Sequence, residues 1–382
     1  MGYKKEPETG ACWCCTASSN SETSCCDQMS LSGISKTGTP WISGEVATAI
    51  GKIPRVSTQL TLRDRAGSWK ARWGIGRMDY KVPPGLYAIG NPDASSLVLV
   101  SANYKMSFDR LRCEMEGLNL WILVIDTKGI NVWCAAGKGT FGTEELVNRI
   151  AQVNLTEVVA HRTLILPQLS APGVAAHQVL KLSGFKVRYG PVRAADVPAY
   201  ISSGLEATRT MREVRFDMLE RLVLTPFELV GTIKPALILI ALLMVLNLLL
   251  GKATSMLSLI HYTVADFVPF FGAILTGAVV VPLLLPYIPG RAFAWKGWLM
   301  GLLWAGVYIG LIASPVSWIL GLFYLLILPP ISSFLAMNFT GCSTYTSLSG
   351  VVKEMKFAVP VQIISAVAGI VLMVGGLFVA YF

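Results

Sequence analysis

Residues 95–126 read "SSLVLVSANYKMSFDRLRCEMEGLNLWILVID", and this stretch contains one full unit of the pattern that decides the fold. The apolar run "LVLV" predicts a buried strand. "SFDRLRCEMEG" predicts a helix that begins at Ser107 and ends at Gly117, and "LNLWILVID" predicts a second strand. Strand, helix and strand in succession are typical of an α/β domain with a largely parallel sheet.

The same alternation covers about residues 85–205. "INVWC" is strand-like, "TEELVNRIAQV" predicts a helix with Thr143 at its cap, and "RTLILPQ", "GVAAHQVLKLSG" and "FKVRYGPV" predict a strand, a helix and a strand. In such sheets ligands bind at the carboxyl ends of the strands. We therefore expect a pocket where the loops "SANYK", "WCAAGKG", "PQLSAPG" and "YGPVRAAD" converge.

The composition indicates a membrane protein. Of 382 residues 53% are hydrophobic and 14% are charged, and the mean hydropathy is +0.56. The C-terminal 152 residues contain only eight charged side chains: Lys234, Lys252, Asp266, Arg291, Lys296, Lys353, Glu354 and Lys356. The chain therefore divides into a polar N-terminal part and a C-terminal part suited to lipid.

Five stretches of this second part are long enough to cross a bilayer as helices, although counts of four or six are alternatives. They cover about 234–251, 264–286, 296–313, 316–337 and 357–382. The connection "IASPVS" is so short that the third and fourth helices must form an antiparallel hairpin.

Basic residues in the short loops favour an inner-membrane, multi-pass protein with the N-terminal domain in the cytoplasm. Arg291, Lys296, Lys353 and Lys356 would lie inside and only Lys252 outside. No apolar signal peptide is seen at the N-terminus. The net charge of +9 requires no nucleic-acid partner, because basic residues are stabilised beside an anionic inner leaflet.

Four regions follow from these patterns. They are a disordered Cys-rich tail (1–40), a cytoplasmic α/β domain (41–205), an amphipathic connector (206–230) that starts with a basic helix over 206–222, and a transmembrane domain (231–382). For the basic helix, packing on the α/β domain is the alternative to a position between domain and membrane. In the tail, Cys12 and Cys15 form a C-x-x-C. Because no second pair or histidine has the right spacing, a flexible tail is the preferred interpretation and a soft-metal site the alternative.

Residues 137–142, "GKGTFG", match the dinucleotide-binding pattern G-x-G-x-x-G. If a strand precedes it and a helix follows, the loop formed by Gly137, Gly139 and Gly142 would bind the pyrophosphate of NAD(P). A membrane-tethered NAD(P)-binding oxidoreductase is therefore one hypothesis. The Walker A pattern is excluded, since it requires glycine where the chain has Val132.

Cys134 lies immediately before those glycines and favours a second hypothesis. A cysteine beside a bulky residue such as Trp133 is most often a buried, inert thiol. Here, however, three small residues follow and leave room for a large flat group. A helix start at this point and the nearby Lys138 would both favour the thiolate, which is the form that binds soft metals.

The stretch Asn131 to Lys138, "NVWCAAGK", resembles the cap-helix sequence of the mercury-methylating corrinoid proteins, the HgcA family. The resemblance covers about 75–225, including "PPGLYAIGNP", "LVSANYKMSFD", "LPQLSAPGVAAH" and "GPVRAADVPAY", and continues into the five-helix part. Ser101 stands where the family pattern has Thr, and the Cys-rich tail is outside the pattern. The corrinoid domain is similar to that of the corrinoid iron–sulfur protein of acetyl-CoA synthesis.

The resemblance implies a Rossmann-like or partial-barrel corrinoid-binding domain, with cobalamin or a related corrinoid whose cobalt has the Cys134 thiolate as its lower axial ligand. The cofactor-binding residues that it implies are Asn131, Val132, Trp133, Cys134, Ala135, Ala136, Gly137, Lys138, Asn103, Tyr104, Gln168, Ala171, Gly190, Pro191 and Val192. Many corrinoid proteins instead use the histidine of D-x-H-x-x-G, and neither His161, His177 nor His261 lies in that motif. Structural roles are the preferred interpretation of His161 and His177, and the alternative for His161 is that it faces the corrinoid from a strand end.

The implied reaction transfers a methyl group from a methyl-Co(III) corrinoid to Hg(II), with Cys134 as the catalytic residue. A ferredoxin-like [4Fe–4S] protein would act as reductant and a methylfolate-dependent system as methyl donor. The last alternative is a transporter with a regulatory cytoplasmic domain, which intramembrane acids such as Asp266 would favour. The G-x-x-x-G spacing of Gly306 and Gly310 favours close helix packing, including across a homodimer.

Overall fold

The computed structural model describes residues 39–313, 317–343, 345 and 348–381. Within them a mixed α/β sheet domain precedes a helical part with five candidate membrane-spanning helices, which confirms the predicted fold class. The Cys-rich tail and the Cys12–Cys15 candidate lie outside the described residues.

The sheet has seven strands. They are β1 (Ile42–Thr48), β2 (Gly51–Val56), β3 (Gly85–Ile89), β4 (Val98–Ala102), β5 (Leu120–Ile125), β6 (Thr163–Leu166) and β7 (Lys186–Tyr189). The helices of this domain are α1 (Leu62–Arg72), α2 (Lys105–Glu114), α3 (Val132–Lys138), α4 (Thr143–Gln152), α5 (Leu155–Val158), α6 (Ala176–Ser183) and α7 (Val197–Ser202).

The strand order is β1-β2-β3-β5-β4-β6-β7. The four strands β5, β4, β6 and β7 are parallel, as the strand–helix alternation predicts. β3 is antiparallel to β5, and β1 and β2 form an antiparallel hairpin at the edge. These three strands and α1 were not anticipated, because β3 is followed by another strand rather than by a crossover helix.

Two local predictions were wrong. "INVWC" is not a strand, because the Asn131 side chain caps a helix by accepting a hydrogen bond from the Cys134 N–H at 2.9 Å. Gly142, not Thr143, is the N-cap of α4. The Thr143 hydroxyl instead accepts a hydrogen bond from the Ala175 N–H at 2.8 Å and so joins α4 to the loop before α6.

A buried ion cluster attaches α1 to α2. Lys105 Nζ lies 2.8 Å from Asp64 Oδ1 and 2.7 Å from Asp109 Oδ2, and Arg112 contacts both carboxylates at 2.9 and 2.8 Å. All four side chains are less than 10% exposed. Buried charges are stable only when paired in this way, so the cluster fixes the position of α1.

The cluster predicts a loss of stability in acid. Burial by itself would raise the pKa of Asp64, but hydrogen bonds from Lys105 and Thr61 outweigh it and lower the pKa from 3.8 to about 2. A carboxyl whose pKa is lower in the folded chain contributes stability that is complete above the unfolded pKa and is lost as the pH falls through the folded value. The contribution, about 2 kcal/mol, should therefore disappear between about pH 4 and pH 2.

Thermal unfolding of the detergent-solubilised chain measures this effect. Asp64→Asn should be less stable than the wild type at neutral pH and should lose less stability across the acid window. If the two proteins lost stability in parallel, the ion cluster would not be the source of the acid sensitivity.

The predicted basic helix over 206–222 forms only over its last five residues, 218–222. Thr210–Arg212 make only a 3-10 turn, and α8 (Met218–Leu249) begins twelve residues after the predicted start at residue 206. Phe216 has a φ of 54°, a left-handed conformation that a helix interior does not allow, and its ring is buried against Val281 and Phe339. Burial of this ring therefore interrupts the helical pattern.

The remaining helices are α9 (Met256–Leu275), α10 (Val281–Leu284), α11 (Phe293–Val307), α12 (Trp318–Asn338) and α13 (Leu348–Tyr381). With the π-helical turns that continue α9 and α11, the spans are 218–249, 256–284, 293–312, 318–341 and 349–376. The count of five is confirmed. The first span begins sixteen residues before its predicted start, because α8 is continuous with the connector.

Close helix packing uses other glycines than predicted. A Cβ built on Gly297 or Gly301 would lie 2.6 or 2.7 Å from α12 backbone atoms, so these two residues let α11 and α12 approach, as expected for a hairpin. Gly306 and Gly310 have no other group within 4 Å of such a Cβ. Among the described residues they bring no second helix close, and the homodimer stays a prediction.

Candidate functional site

The carboxyl ends of β4, β5, β6 and β7 form one edge of the sheet, and α3 lies across it. We call α3, Val132–Lys138, the cap helix. It packs against the 3-10 turn Gln168–Ser170 after β6 and against the end of β4. The predicted convergence of loops at this edge is therefore present.

The cap helix has one buried and one exposed face. Ala135 and Ala136 are buried against the α/β core, and the half-buried Val132 packs beside them. Cys134 and Gly137 are exposed, three residues apart on the same face. The thiol is thus not the buried, inert type that its neighbour Trp133 would suggest.

Gly137 leaves the backbone beside Cys134 bare. Its φ is not in the left-handed region, and a Cβ built on it would meet no other group within 4 Å. Neither conformation nor packing inside the chain requires a glycine here. The exposed face can therefore accept a flat group at backbone distance from the thiol.

The structure removes the context that an NAD(P) loop needs. Gly137 lies inside the cap helix, Gly139 ends it with a φ of 79°, and Gly142 caps α4. The dinucleotide pattern requires a strand directly before its glycines, and here a helix precedes them. These glycines are a helix terminus and a helix–helix turn.

Asn103, at the end of β4, holds the loop that leads into the cap helix. Its Oδ1 accepts hydrogen bonds from Thr127 N, Thr127 Oγ1 and Gly129 N at 3.1, 2.8 and 3.0 Å, and its Nδ2 donates to Asp126 at 2.8 Å. The side chain is 2% exposed. Asn103 therefore positions the cap helix and has little surface left for a cofactor.

Asn103→Ala should destabilise the domain by about 3 kcal/mol, since it leaves buried N–H and O–H groups unpaired. Denaturant unfolding of the full chain in detergent measures the change. The matched control is Asn119→Ala, at an exposed site where Asn119 accepts one hydrogen bond, from Asn91 N at 2.8 Å. Equal, small effects of both substitutions would contradict the positioning role.

The implied binding residues differ in exposure. Trp133, Cys134, Gly137 and Lys138 are exposed, Asn131, Val132, Gln168, Ala171 and Val192 are half-buried, and Asn103, Tyr104, Ala135, Ala136, Gly190 and Pro191 are buried. Gln168 and Pro191 meet through a hydrogen bond from Gln168 N to Pro191 O at 3.4 Å. The side-chain Oε1 of Gln168 is buried and has no hydrogen-bond partner among the described residues.

Tyr104 follows Asn103 in the chain, but its side chain contacts a different neighbour, Arg77. Its ring is 5.8 Å from the Arg77 guanidinium, it is 3% exposed, and burial raises the pKa of its hydroxyl. Within the described part of the chain that hydroxyl has no hydrogen-bond partner. Tyr104 thus belongs to the contact between this edge of the sheet and residues 73–82.

Sequence reasoning missed Gly173, which brings the loop after β6 against the cap helix. A Cβ on Gly173 would lie 2.2 Å from Phe141 O and 2.9 Å from Ala136 Cα. Gly129, with a φ of 73° and a built Cβ 2.8 Å from Met78 O, is a second missed position. Both glycines stand in quoted or neighbouring loop sequence, but only the tertiary contacts distinguish them from other loop glycines.

The two histidines of this domain do not join the cap helix. His161 Nδ1 accepts a hydrogen bond from Thr163 N at 3.2 Å, so Nε2 donates to Ser96 O at 2.9 Å. Since His161 precedes β6, it lies at the opposite edge of the sheet. The alternative that it faces a cofactor there is therefore wrong. His177 is exposed at the start of α6.

A cavity of about 390 Å³ lies at the amino end of β5, away from the cap helix. Arg55, Gly90 and Asn119 are among the residues that line it. Among the described residues, no three His, Cys, Asp or Glu side chains are grouped to hold a bare metal ion.

The intramembrane acid Asp266 is paired. Its Oδ2 accepts a hydrogen bond from Asn247 Nδ2 at 2.9 Å, and Asn247 is 1% exposed. This bond joins α8 to α9. Asp266 thus serves helix association, and this pairing gives no specific support to the transporter alternative.

Comparison with known proteins places the similarity in the α/β domain. Residues 76–201 match the family model CdhD, described as the CO dehydrogenase/acetyl-CoA synthase delta subunit. This range contains the cap helix, Asn103, Gln168 and Gly173.

Similar proteins include two subunits of acetyl-CoA decarbonylase/synthase complexes. The gamma subunit of Methanopyrus kandleri is 31% identical over 127 residues, and that of Methanocaldococcus jannaschii is 36% identical over 97 residues. The corrinoid/iron-sulfur protein large subunit of Moorella thermoacetica is 25% identical over 171 residues. The aligned parts are 33%, 25% and 42% of this chain, which itself spans only 27%, 20% and 38% of those proteins.

Proposed function

We propose that the chain is a corrinoid-dependent methyltransferase that moves a methyl group to Hg(II), with the Cys134 thiolate as lower axial ligand of the cobalt. The observation that carries the proposal is the exposed Cys134 beside the bare backbone of Gly137, within the sequence "NVWCAAGK". The similarity of the α/β domain to a corrinoid/iron-sulfur protein supports the class of cofactor. The mercury substrate is supported by the resemblance of the cap helix alone.

Three features of the described residues fit a planar macrocycle that bears amide side chains. Cys134 presents its thiol on an exposed helix face, and Gly137 has no side chain to obstruct a ring there. Gln168, in the turn against the cap helix, has a buried carbonyl oxygen that lacks a partner among the described residues and suits an amide N–H donor. The set combines a soft ligand, a flat surface and a polar contact.

Other residues would position Cys134 and the cap helix or favour the thiolate. Asn131 fixes Cys134 through the 2.9 Å hydrogen bond to its N–H, and Lys138, one turn further along, favours the thiolate by its positive charge. Asn103 holds the loop before the cap helix, and Gly173 lets the loop after β6 pack against the buried face of that helix. When bound, the corrinoid supplies a cobalt-held methyl group whose reactivity depends on its axial ligand.

The acceptor and the partners follow from the same chemistry. Hg(II) is a soft electrophile, and an electron-rich thiolate ligand favours release of a methyl group to it. We propose a ferredoxin-like [4Fe–4S] protein as reductant and a methylfolate-dependent methyl donor. The similarity to a subunit of an acetyl-CoA decarbonylase/synthase complex and to a corrinoid/iron-sulfur protein supports such partners.

The helical part would anchor the enzyme. We propose the inner membrane, with the α/β domain of about residues 41–205 in the cytoplasm and the helices of residues 231–382 in the bilayer. The basic residues in the short loops support this orientation, and the five apolar helices support the anchor.

The test is anaerobic reconstitution of the purified full chain with cobalamin. We expect one cobalt per chain, a spectrum unlike that of free cobalamin, and methylmercury when methylated corrinoid and Hg(II) are supplied. A chain that binds no corrinoid would contradict the whole proposal. A chain that binds corrinoid and passes the methyl group to another acceptor, but not to Hg(II), would contradict the substrate alone.

A further inference from the structure

The face of α1 that points away from the ion cluster is apolar and exposed. Leu62, Trp69 and Trp73 are 84%, 62% and 38% exposed, although leucine and tryptophan normally lie inside. With Ala66 they follow one another at helical spacing, in a stripe about 60° wide. Asp64, on the opposite side of the helix, is buried. This stripe therefore has no covering within the described chain.

Basic side chains border the stripe on both sides. Arg63 and Lys70 lie along one flank and Arg65 and Arg72 along the other, by the 100° step of the helix. An apolar stripe with tryptophan, bounded by Arg and Lys, is the pattern of a helix that lies in the membrane interface.

The first membrane span holds this region at the level of the lipid headgroups. A Cβ on Gly74 would lie 3.7 Å from Val230 Cγ1, and the Arg77 guanidinium is 4.9 Å from the Phe227 ring. α8 has 32 residues and is about 48 Å long, whereas the hydrocarbon core is about 30 Å thick. Because the apolar run occupies its C-terminal part, Phe227 and Val230 fall near the water-facing end of the core.

We propose that α1 and the turn that follows it, residues 73–78, form an interfacial element that lies on an anionic lipid surface. Ile75 and Met78, which are 64% and 52% exposed, extend the apolar surface towards α8. The element packs against α8, the first candidate membrane-spanning helix, so its occupant is the bilayer that would surround that helix. This inference does not depend on the proposed methyl transfer.

The interfacial element, together with residues 80–82 that follow it, also supports the loop before the cap helix. Met78 O lies against Gly129, Val82 N donates to Asn103 O at 2.8 Å, and Lys105 N donates to Tyr80 O at 3.0 Å. The loop before Cys134 therefore rests on the segment that contacts the membrane. The cap helix is thereby held at a set height above the lipid.

Photo-crosslinking of the full chain in vesicles tests the proposal. One variant has p-benzoylphenylalanine in place of Trp69, and the matched control has it in place of Leu182, which is 65% exposed on α6. In vesicles of phosphatidylcholine with phosphatidylglycerol we expect about tenfold more lipid adduct from position 69 than from position 182. Equal adducts from both positions, or protein adducts without lipid from position 69, would overturn it.

The charge requirement is tested with a triple substitution. Arg63→Gln, Arg65→Gln and Lys70→Gln together should lower the lipid adduct from position 69 several-fold in anionic vesicles and little in pure phosphatidylcholine. The control combines Lys181→Gln, Lys186→Gln and Arg188→Gln, at three exposed basic residues near position 182. It should leave the lipid adduct from position 69 unchanged. An adduct that is insensitive to both the anionic lipid and the basic flank would refute an anionic surface as the occupant.

Discussion

Replacing Cys134 with alanine should reduce methylmercury formation below detection while the chain remains folded in the membrane. The side chain is exposed, so its truncation should change the free energy of unfolding by no more than about 0.5 kcal/mol. Loss of the thiolate removes the proposed axial ligand, and the spectrum of bound corrinoid should shift accordingly. Activity, cobalt content and spectrum are measured on the same anaerobic preparation.

Cys113→Ala is the control for this substitution. Cys113 is the half-exposed cysteine of α2, and burial raises the pKa of its thiol, so it should be inert. Its replacement should leave both activity and spectrum unchanged. Full methylmercury formation by the Cys134→Ala protein would remove Cys134 from the mechanism, whatever its effect on corrinoid binding.

Gly173→Ala should displace the cap helix and cost about 3 kcal/mol of stability. The added methyl group would lie 2.2 Å from Phe141 O and 2.9 Å from Ala136 Cα, both of which are backbone atoms that cannot turn aside. The loop and the cap helix must therefore separate. Denaturant unfolding measures the stability, and corrinoid titration measures the accompanying loss of affinity.

Gly137→Ala provides the contrast, because Gly137 lies on the exposed face of the cap helix, whereas Gly173 packs against its buried face. Its added methyl group meets nothing in the chain, and alanine favours a helix interior over glycine by about 1 kcal/mol. Gly137→Ala should therefore keep or raise stability while it weakens corrinoid binding about tenfold by obstructing the ring. Wild-type corrinoid affinity in this variant would mean that the macrocycle does not approach this face.

The local sequence predicted much of the fold because several of its patterns have only one stable environment. Apolar stretches of about 20 residues favour lipid, so five spans were expected, and five helices of the described residues are long and apolar enough to cross a membrane. Strand–helix alternation predicted the four parallel strands. It missed β3, since this strand is followed directly by β4 and no helix separates the two.

The site shows the same division. Cys134 and the small residues after it are neighbours in sequence, and the local pattern singled them out. The capping role of Asn131 was missed, because "INVWC" looks locally like a strand. The support for this helix comes from far along the chain: Asn103 lies about 25 residues before the loop that it holds, and Gly173 lies 37 residues after Ala136. No local periodicity encodes such partners.

The local sequence predicted which segments are long and apolar enough to cross a membrane, which strands run parallel, and that Cys134 stands among residues that leave it accessible. Only the tertiary structure decided that Gly137–Gly142 is a helix end instead of a nucleotide loop, that Phe216 interrupts the connector, and that Gly297 and Gly301 pack α11 on α12. The physical reason is the distance along the chain over which each kind of interaction acts. Hydrophobic periodicity and capping act within a few residues, whereas hydrogen bonds, steric contacts and ring burial between distant segments select one of several locally acceptable conformations.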